Sequence, residues 1–524
     1  MVTMAGKGNK NAHRKGKESK TLFERIWTLA NHRGFVFPSA EIYGGISGLY
    51  DLGPLGTKLK NNLVQAWREF FVLKETNPPV YELDGSTILP YEALKASGHL
   101  DSFTDPTVSC LKCKKWMRAD HLIEDSLGLY VEGMPPEELT RIIRENNLVC
   151  PDCGGELSEV TVFNLMLSVK VGPAGGQTAF LRPETAQDIF MDFKRVQQSM
   201  RAKLPFGIAQ IGKSYRNEIS PRQGLMRVRE FTQMEIEMFI HPKEIGNHPS
   251  FDKVKDIKIR ILTREQQEKG ETEPVEVTAQ ESLDKKILPN PYMAYYIAKE
   301  TIFYQSLGIP YDKFHFRHMM PEETPFYSGG NFDLEVELSI GRKEIVGNAY
   351  RTNYDLFNHM KKSGKDLSVS VDGEKVIPEV VEPSFGVERA IYCILEHCYR
   401  EDDGRGWSWF KFPIKIAPIL ALVLPLVRRE PLMEIAFKTY QTLRENGLDV
   451  DYDDRGSIGK RYARADEIGI PFCITIDYDT PKANTVTIRD RDSRKQAVVN
   501  KDDLVEIIRK LYTGTIKFDD LVSS

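Results

Sequence analysis

Between Gly212 and Phe231 the chain reads Gly-Lys-Ser-Tyr-Arg-Asn-Glu-Ile-Ser-Pro-Arg-Gln-Gly-Leu-Met-Arg-Val-Arg-Glu-Phe. Alternating apolar residues predict strands over Phe206–Arg216 and Arg229–Ile240, with Pro221 and Gly224 turning the chain between them. Arg216 and Glu218 then leave the first strand, while Arg227, Arg229 and Phe231 meet at the start of the second. A nucleotide needs these types: a fixed guanidinium for phosphate, a carboxylate to accept from an exocyclic amine, and an aromatic face to stack on a base. An isolated Arg-x-Glu on a hairpin reads equally as a salt-bridged surface turn, so the pattern alone leaves both readings open.

A second pattern is Cys110-Leu-Lys-Cys113 with Cys150-Pro-Asp-Cys153, 36 residues apart. Two Cys-x-x-Cys turns can bring four thiolates to one tetrahedral Zn²⁺, and a predicted helix near Pro136–Glu145 fills the space between them. Redox pairing is the alternative. A reducing compartment and the turn-forming Gly154 and Gly155 favour structural zinc. Cys393, Cys398 and Cys473 fall on predicted apolar faces and are expected in the core. Gly53-Pro-Leu-Gly-Thr-Lys58 lacks the spacing of a phosphate-binding P-loop. His99 and His318 have no sequence partners that would complete a catalytic triad.

The hairpin segment resembles motif 2 of the class II aminoacyl-tRNA synthetases, and several ordered blocks resemble the glycyl-tRNA synthetases. These are Phe163-Asn-Leu-Met, Leu181-Arg-Pro-Glu-Thr-Ala-Gln, Arg216-Asn-Glu-Ile-Ser-Pro-Arg and Arg229-Glu-Phe-Thr-Gln-Met-Glu-Ile-Glu. Glu344-Ile-Val-Gly and Arg351-Thr-Asn-Tyr-Asp-Leu follow in order, and Val381-Glu-Pro-Ser-Phe-Gly-Val-Glu-Arg389 resembles motif 3. Gly48–Asn62 and the helix after it stand where motif 1, a dimer element, begins. The likeness implies an ATP site. Arg216 would hold the α-phosphate, Glu218 the adenine amino group, and Phe231 the base. Arg227, Asn217 and the backbone at Val228 would line the loop; Glu344 and the backbone at Ile345 would face ATP and its Mg²⁺; and Arg389 would take the γ-phosphate. It also implies a glycine pocket from Glu184, Glu235, Glu382, Pro383 and Ser384, with Arg118 and Arg351 beside them. Glycine offers only an ammonium, a carboxylate and the lack of a Cβ, so clustered acids suit it and a tight wall excludes alanine. The implied partners are ATP, glycine, tRNA(Gly) and a second copy of the chain in a homodimer. Zinc rests on cysteine spacing, because glycyl-tRNA synthetases vary there.

The secondary structure expected around these residues is α/β in class. The resemblance implies an α+β catalytic domain over 21–412, built on an antiparallel sheet flanked by helices. Residues 105–160 are expected as a zinc-ribbon-like insertion and 243–289, rich in Lys and Glu, as a surface insertion. Residues 413–524 alternate strand and helix and resemble the α/β anticodon-binding domain of the class IIa enzymes, through Asp453-Asp-Arg-Gly-Ser-Ile-Gly-Lys-Arg-Tyr462 and Ile470-Pro-Phe. There Arg455, Lys460, Arg461, Arg489, Arg491 and Arg494 are candidates to meet RNA. Residues 1–20 hold six basic residues against one acid and read as a disordered basic tail.

The whole chain carries a formal net charge of −4, which is compatible with an RNA partner on a local basic surface. The apolar run Ile416–Val427 contains Pro418 and Pro425 and is too short to cross a membrane. No apolar signal core opens the chain, and few cysteines argue against a secreted disulfide scaffold, so a cytoplasmic protein without a membrane partner is expected. The alternative function is a synthetase-like accessory subunit of a polymerase that has lost ATP chemistry. The set Arg216, Glu218, Phe231 and Arg389 discriminates the two and is complete here.

Overall fold

A computed structural model describes residues 20–129, 131, 133–221, 223–324, 328–401 and 404–522. Most of the basic tail, and Arg222 of the hairpin loop, lie outside the described residues. The first helix, α1 (Leu22–His32), opens on a capping box in which Thr21 and Glu24 satisfy each other's backbone N–H. The next, α2 (Pro54–Arg68), starts with proline at its first position, where the missing N–H costs nothing. It buries Leu59, Leu63 and Trp67 and runs into one turn of π-helix over Glu69–Leu73.

Among the described residues the largest sheet has nine strands: β1 (Val80–Leu83), β2 (Phe206–Tyr215), β3 (Glu230–Ile240), β4 (Lys258–Leu262), β5 (Val275–Thr278), β6 (Phe314–His318), β7 (Asn331–Leu338), β8 (Gly341–Thr352) and β9 (Glu379–Gly386). Their spatial order is β5-β4-β6-β7-β8-β9-β3-β2-β1. The run β6 to β2 is antiparallel throughout. The outer pairs β4/β6 and β1/β2 are parallel. Period-two alternation divides each central strand between two faces. Met234, Ile236 and Met238 of β3 join α2 and the helices Pro291–Ser306 and Val387–Cys398 on one side. Phe239 of β3 joins the helix Ala186–Ser199 on the other, through Phe190 and Phe193. This second face also carries Gln233, Glu235 and Glu237, and so presents acids above an aromatic floor.

Residues 243–289 contribute more than a surface insertion. They supply β4 and β5, which extend the sheet beyond β6, with Ile259, Ile261 and Val277 buried. The composition misleads because only alternate residues of an edge pair turn inward; Lys258 and Glu276 pair on the solvent side at 2.7 Å.

The C-terminal unit has the sheet order β11-β10-β12-β13-β14, with β10 (Ala421–Pro425), β11 (Val450–Tyr452), β12 (Phe472–Ile476), β13 (Thr485–Asp490) and β14 (Gln496–Asn500). The first three are parallel and the last two antiparallel, as the βαβ pattern predicts. This unit is packed onto the first. Leu55 packs on its core, Asn62 donates to Ala417 O at 2.8 Å, and Lys58 reaches Asp449 at 2.7 Å.

Candidate active site

The β2–β3 hairpin is held in register from Phe206–Phe239 to Tyr215–Glu230, and the Arg216 amide donates to Arg229 O at 2.9 Å. The Arg216 side chain therefore leaves a rigid strand end. Its guanidinium lies 5.3 Å from the Phe231 ring centroid and 5.2 Å from Phe103, and its Nε donates to Pro183 O at 3.2 Å. Glu218 faces Arg227 at 3.7 Å, and the Asn217 amide is tied to Leu165 O at 2.8 Å. Val228 is buried in the returning loop, and Arg229 donates its amide to Gly48 O at 2.8 Å. From the first turn of the helix Val387–Cys398, Arg389 meets the Glu344 carboxylate at 3.0 Å and the Glu344 carbonyl at 2.9 Å. Arg389, aided by Arg216, holds the Glu344 carboxyl below the usual range. Ile345 is buried beside it. The residues expected around ATP thus converge on one end of the sheet, with cationic and aromatic groups facing a common space.

Deeper on the same face, Arg351 of β8 is almost entirely enclosed and meets three acids. It lies 2.8 Å from Asp355 and 3.6 Å from Glu184, and also pairs with Glu382. His99 stands 3.5 Å from Glu184, and Gln187 donates to Glu184 at 2.7 Å and to Asp355 at 3.2 Å. Glu235 accepts from the Thr185 amide at 2.9 Å, from the Thr185 hydroxyl, from Gln233 at 2.9 Å and from Ser384 Oγ at 2.5 Å. Pro383 sits between Glu382 and Ser384 on β9 and brings no N–H of its own. Burial raises Glu184, but His99 and Arg351 more than reverse it and hold it well below the usual carboxylate range. Burial and the neighbouring Glu184 raise Glu235. Burial, only partly countered by Arg351, pushes Glu382 up to about 8. The acid pocket therefore contains carboxyls of different charge state side by side.

Arg118 pairs with Asp105 at 3.3 Å and with Asp120, and its charge acts on Arg227 of the hairpin loop. Asp355, His99, Gln187, Gln233 and Thr185 belong to the pocket and are not read from the sequence. Asp355 has a local signal, an acid four residues after Arg351 in the first turn of the helix Tyr354–Ser363. His99 is far from Glu184 in sequence; its ring meets the Glu184 carboxylate on Nε2 and the Ser97 hydroxyl at 2.8 Å on Nδ1. Beneath the pocket, buried Arg182 donates to Lys213 O at 2.8 Å, Asp188 at 2.9 Å and Gln210 at 2.7 Å. Gly212 makes room for it: a Cβ there would lie 2.0 Å from the guanidinium.

The four cysteines meet as their spacing predicts. Cys110 and Cys153 Sγ are 3.5 Å apart, Cys113 and Cys150 Sγ 3.7 Å, and all four lie within 4.8 Å of one another. Both turns share one geometry. Lys114 and Gly154 take positive φ and donate their amides to Cys110 O and Cys150 O at 2.9 and 2.8 Å. The Cys113 amide points at Cys110 Sγ at 3.4 Å, the pattern that stabilises a thiolate. A tetrahedral centre with bonds of about 2.3 Å separates sulfurs by about 3.8 Å, which this cluster accommodates. The module abuts the hairpin loop, where Ser220 Oγ donates to Trp116 O at 2.8 Å. Cys393, Cys398 and Cys473 are buried, as expected of core residues.

In the C-terminal unit three of the six basic candidates turn inward. Arg461 donates to the carbonyls of Pro425, Leu426 and Asp453, Arg489 pairs with fully buried Asp466 at 2.9 Å, and Arg491 donates to Gly469 O and Phe412 O. Removing one partner of the Arg489–Asp466 pair costs ~3–5 kcal/mol, and Arg461 and Arg491 tie down backbone carbonyls, so these three arginines hold the fold rather than meet RNA. Arg455, Lys460 and Arg494 remain exposed.

Two family models match the chain: the tRNA synthetase class II core domain (G, H, P, S and T) over residues 171–287, and the anticodon binding domain over 421–511. Curated relatives named glycine–tRNA ligase align along nearly all of it. The protein of Methanocaldococcus jannaschii is 42% identical over 94% of this chain and 99% of its own length. This chain belongs to the glycine–tRNA ligase family. Other glycine–tRNA ligases agree: that of Pyrococcus furiosus is 41% identical over 94% of this chain, and that of Aeropyrum pernix 40% over 96%. The class II core match begins at residue 171, before the acid pocket's Glu184, and contains the whole β2–β3 hairpin.

Proposed function

We propose that this protein activates glycine with ATP to form glycyl-adenylate and diphosphate, then transfers glycine to tRNA(Gly) with release of AMP. The observation that carries this reading is one sheet face holding both halves of the problem: the Arg216–Phe231–Arg389 end for a nucleotide and the Glu184–Glu235–Glu382–Ser384 cluster for a small ammonium compound. Adenylate formation is an in-line attack of the glycine carboxylate on the α-phosphorus, so two anions must be brought together. Arg216 holds the α-phosphate and Arg389 the γ-phosphate. Phe231 stacks on adenine, Glu218 accepts from its amino group, and Asn217, Arg227 and the backbone at Val228 line the loop. Glu344, half-exposed beside Arg389, suits a magnesium ion bound with ATP, with the Ile345 backbone beside it; the ion would neutralise phosphate charge. No protein nucleophile is required, and the site works by positioning and fixed charge.

The glycine ammonium is held by Glu184, Glu235, Glu382 and Ser384. Arg351 orients Glu184 and Glu382, and Pro383 narrows the wall that rejects alanine. One zinc per chain sits on Cys110, Cys113, Cys150 and Cys153 and braces the module under the hairpin loop. The C-terminal unit from about residue 413 binds the anticodon, offering exposed Arg455, Lys460 and Arg494 to RNA. The active form is a homodimer. Its support is a loop before α2 on which Phe37, Ile42, Tyr43 and Ile46 are 37%, 88%, 86% and 58% exposed, an apolar patch that association would cover. Among the described residues no helix is long and apolar enough to cross a membrane, which is compatible with a cytoplasmic enzyme. ATP–pyrophosphate exchange measured with each of the twenty amino acids tests the reading: glycine alone should support exchange. Exchange with another amino acid, or with none, would refute it.

A further inference from the structure

Glu237 of β3 has no place in the site described so far. It is fully buried, and neither carboxyl oxygen has a hydrogen-bond donor among the described residues. The register of β3 against β9 sets Glu235 opposite Ser384 and Met238 opposite Val381, which puts Glu237 directly across from Glu382. Directly opposed residues on neighbouring antiparallel strands hold their Cβ atoms about 4.5–5.5 Å apart, and like charges there repel. Glu382 has Arg351 as an ion-pair partner, whereas no cation among the described residues donates a hydrogen bond to Glu237. The other charged or titratable groups facing Glu237 are Arg351 of β8, Glu235 on its own strand, Asp355 of the following helix and Tyr296 of the helix Pro291–Ser306, while β2 offers only Ile208. Those facing Glu382 are Arg351, Glu235 and Glu184. Two buried carboxyls so placed do not both ionise.

We propose that Glu237 is a protonated positioning residue: it donates a hydrogen bond to Glu382, so that Glu382 alone ionises toward the ammonium group of glycine, and glycine binding releases one proton to solvent. This rests on the glycine-pocket reading above. The chemistry balances simply. The Glu382 proton leaves to water, the glycine ammonium takes its place, and the Glu237 proton stays. Burial raises both carboxyls, and the Arg351 guanidinium, paired with Glu382, decides that Glu382 is the one to give up its proton.

The test is the pH profile of the glycine KM in pyrophosphate exchange at saturating ATP, for the wild type, Glu237→Leu and Glu237→Gln. The wild-type KM should fall roughly tenfold per pH unit and level off near pH 8, where Glu382 is ionised before glycine arrives. Glu237→Leu removes the donor, and should raise the KM about tenfold or more and move the levelling point to higher pH. Glutamine is a neutral donor of nearly the same shape, so Glu237→Gln should rescue most of that loss and return the profile. An unchanged ATP KM reports an intact fold in both variants. Equal damage from Gln and Leu would overturn the proposal by making Glu237 an ionised ligand, and a Leu variant with a wild-type profile would overturn it by removing any role. A wild type without glycine-dependent exchange would overturn the functional reading as well.

Discussion

At the scale of single residues, Arg216 and Arg389 differ in how they are held. Arg216 is steadied by two rings and one carbonyl, whereas Arg389 is already paired with Glu344. Each Arg→Ala change should lower pyrophosphate exchange by about 10²–10³, the effect of losing one preorganised charge donor. Steady-state exchange on both purified variants checks this, and near wild-type rates in folded protein would defeat the assignment. The hairpin part of the nucleotide end was legible as a cluster, since a hairpin places positions 216 to 231 together whatever surrounds it, whereas Glu344 and Arg389 entered through family likeness. The acid pocket was legible only through family likeness. Glu184, Arg351, Asp355 and Glu382 come from four elements, and no local pattern says that they meet. Glu237 illustrates the limit: on its own strand it is one acid among three, and only the pairing of β3 with β9 reveals its neighbour.

At the scale of elements, the cysteine module is a small domain with a modest core: Val108, Met117, Leu122, Ile123, Leu139 and Ile143 with the two buried cysteines. A cluster this small leans on a cross-link. Protein purified without chelator should carry one zinc per chain by elemental analysis, and Cys113→Ser should lose it and lower the thermal midpoint. Metal-free wild-type protein of unchanged stability would remove the zinc. Spacing alone predicted the four-sulfur cluster because Cys-x-x-Cys turns are local geometry. The edge strands β4 and β5 were missed for the opposite reason: their solvent face carries Lys258 and Glu276, and a composition average hides the alternating Ile259, Ile261 and Val277. The inward arginines of the C-terminal unit were misread in the same way, since charge in a sequence does not say which way it points.

At the scale of the molecule, two units share an interface and the two proposed activities divide between them. Deleting residues 413–524 should spare pyrophosphate exchange more than tRNA charging, because the nucleotide and acid residues all precede the cut. The cut also strips Glu467 from Arg33 and Asp449 from Lys58, so the truncated protein should melt at lower temperature. Calorimetry and a charging assay on the same preparation check both halves; a folded truncation that charges at full efficiency would sink the anticodon assignment. Assembly is tested at the exposed loop. Ile42→Asp with Tyr43→Asp should shift the protein from a dimer to a 59.8 kDa species in light scattering, whereas a wild type already monomeric and active at micromolar concentration would refute the dimer.

The short peptide from Arg182 to Thr185 has a consequence for accuracy. Arg216 hangs on the Pro183 carbonyl, Glu184 projects into the acid pocket, Thr185 grips Glu235, and Arg182 rivets the whole span to the strands below. Both proposed substrates are thus gauged from one reference edge four residues long. Vibration of that edge displaces the phosphate holder and the ammonium holder together, so the error is common to both and largely cancels in the gap between attacking oxygen and phosphorus. Had the two holders stood on separate loops, their independent fluctuations would add, and the reacting atoms would spend less time in line.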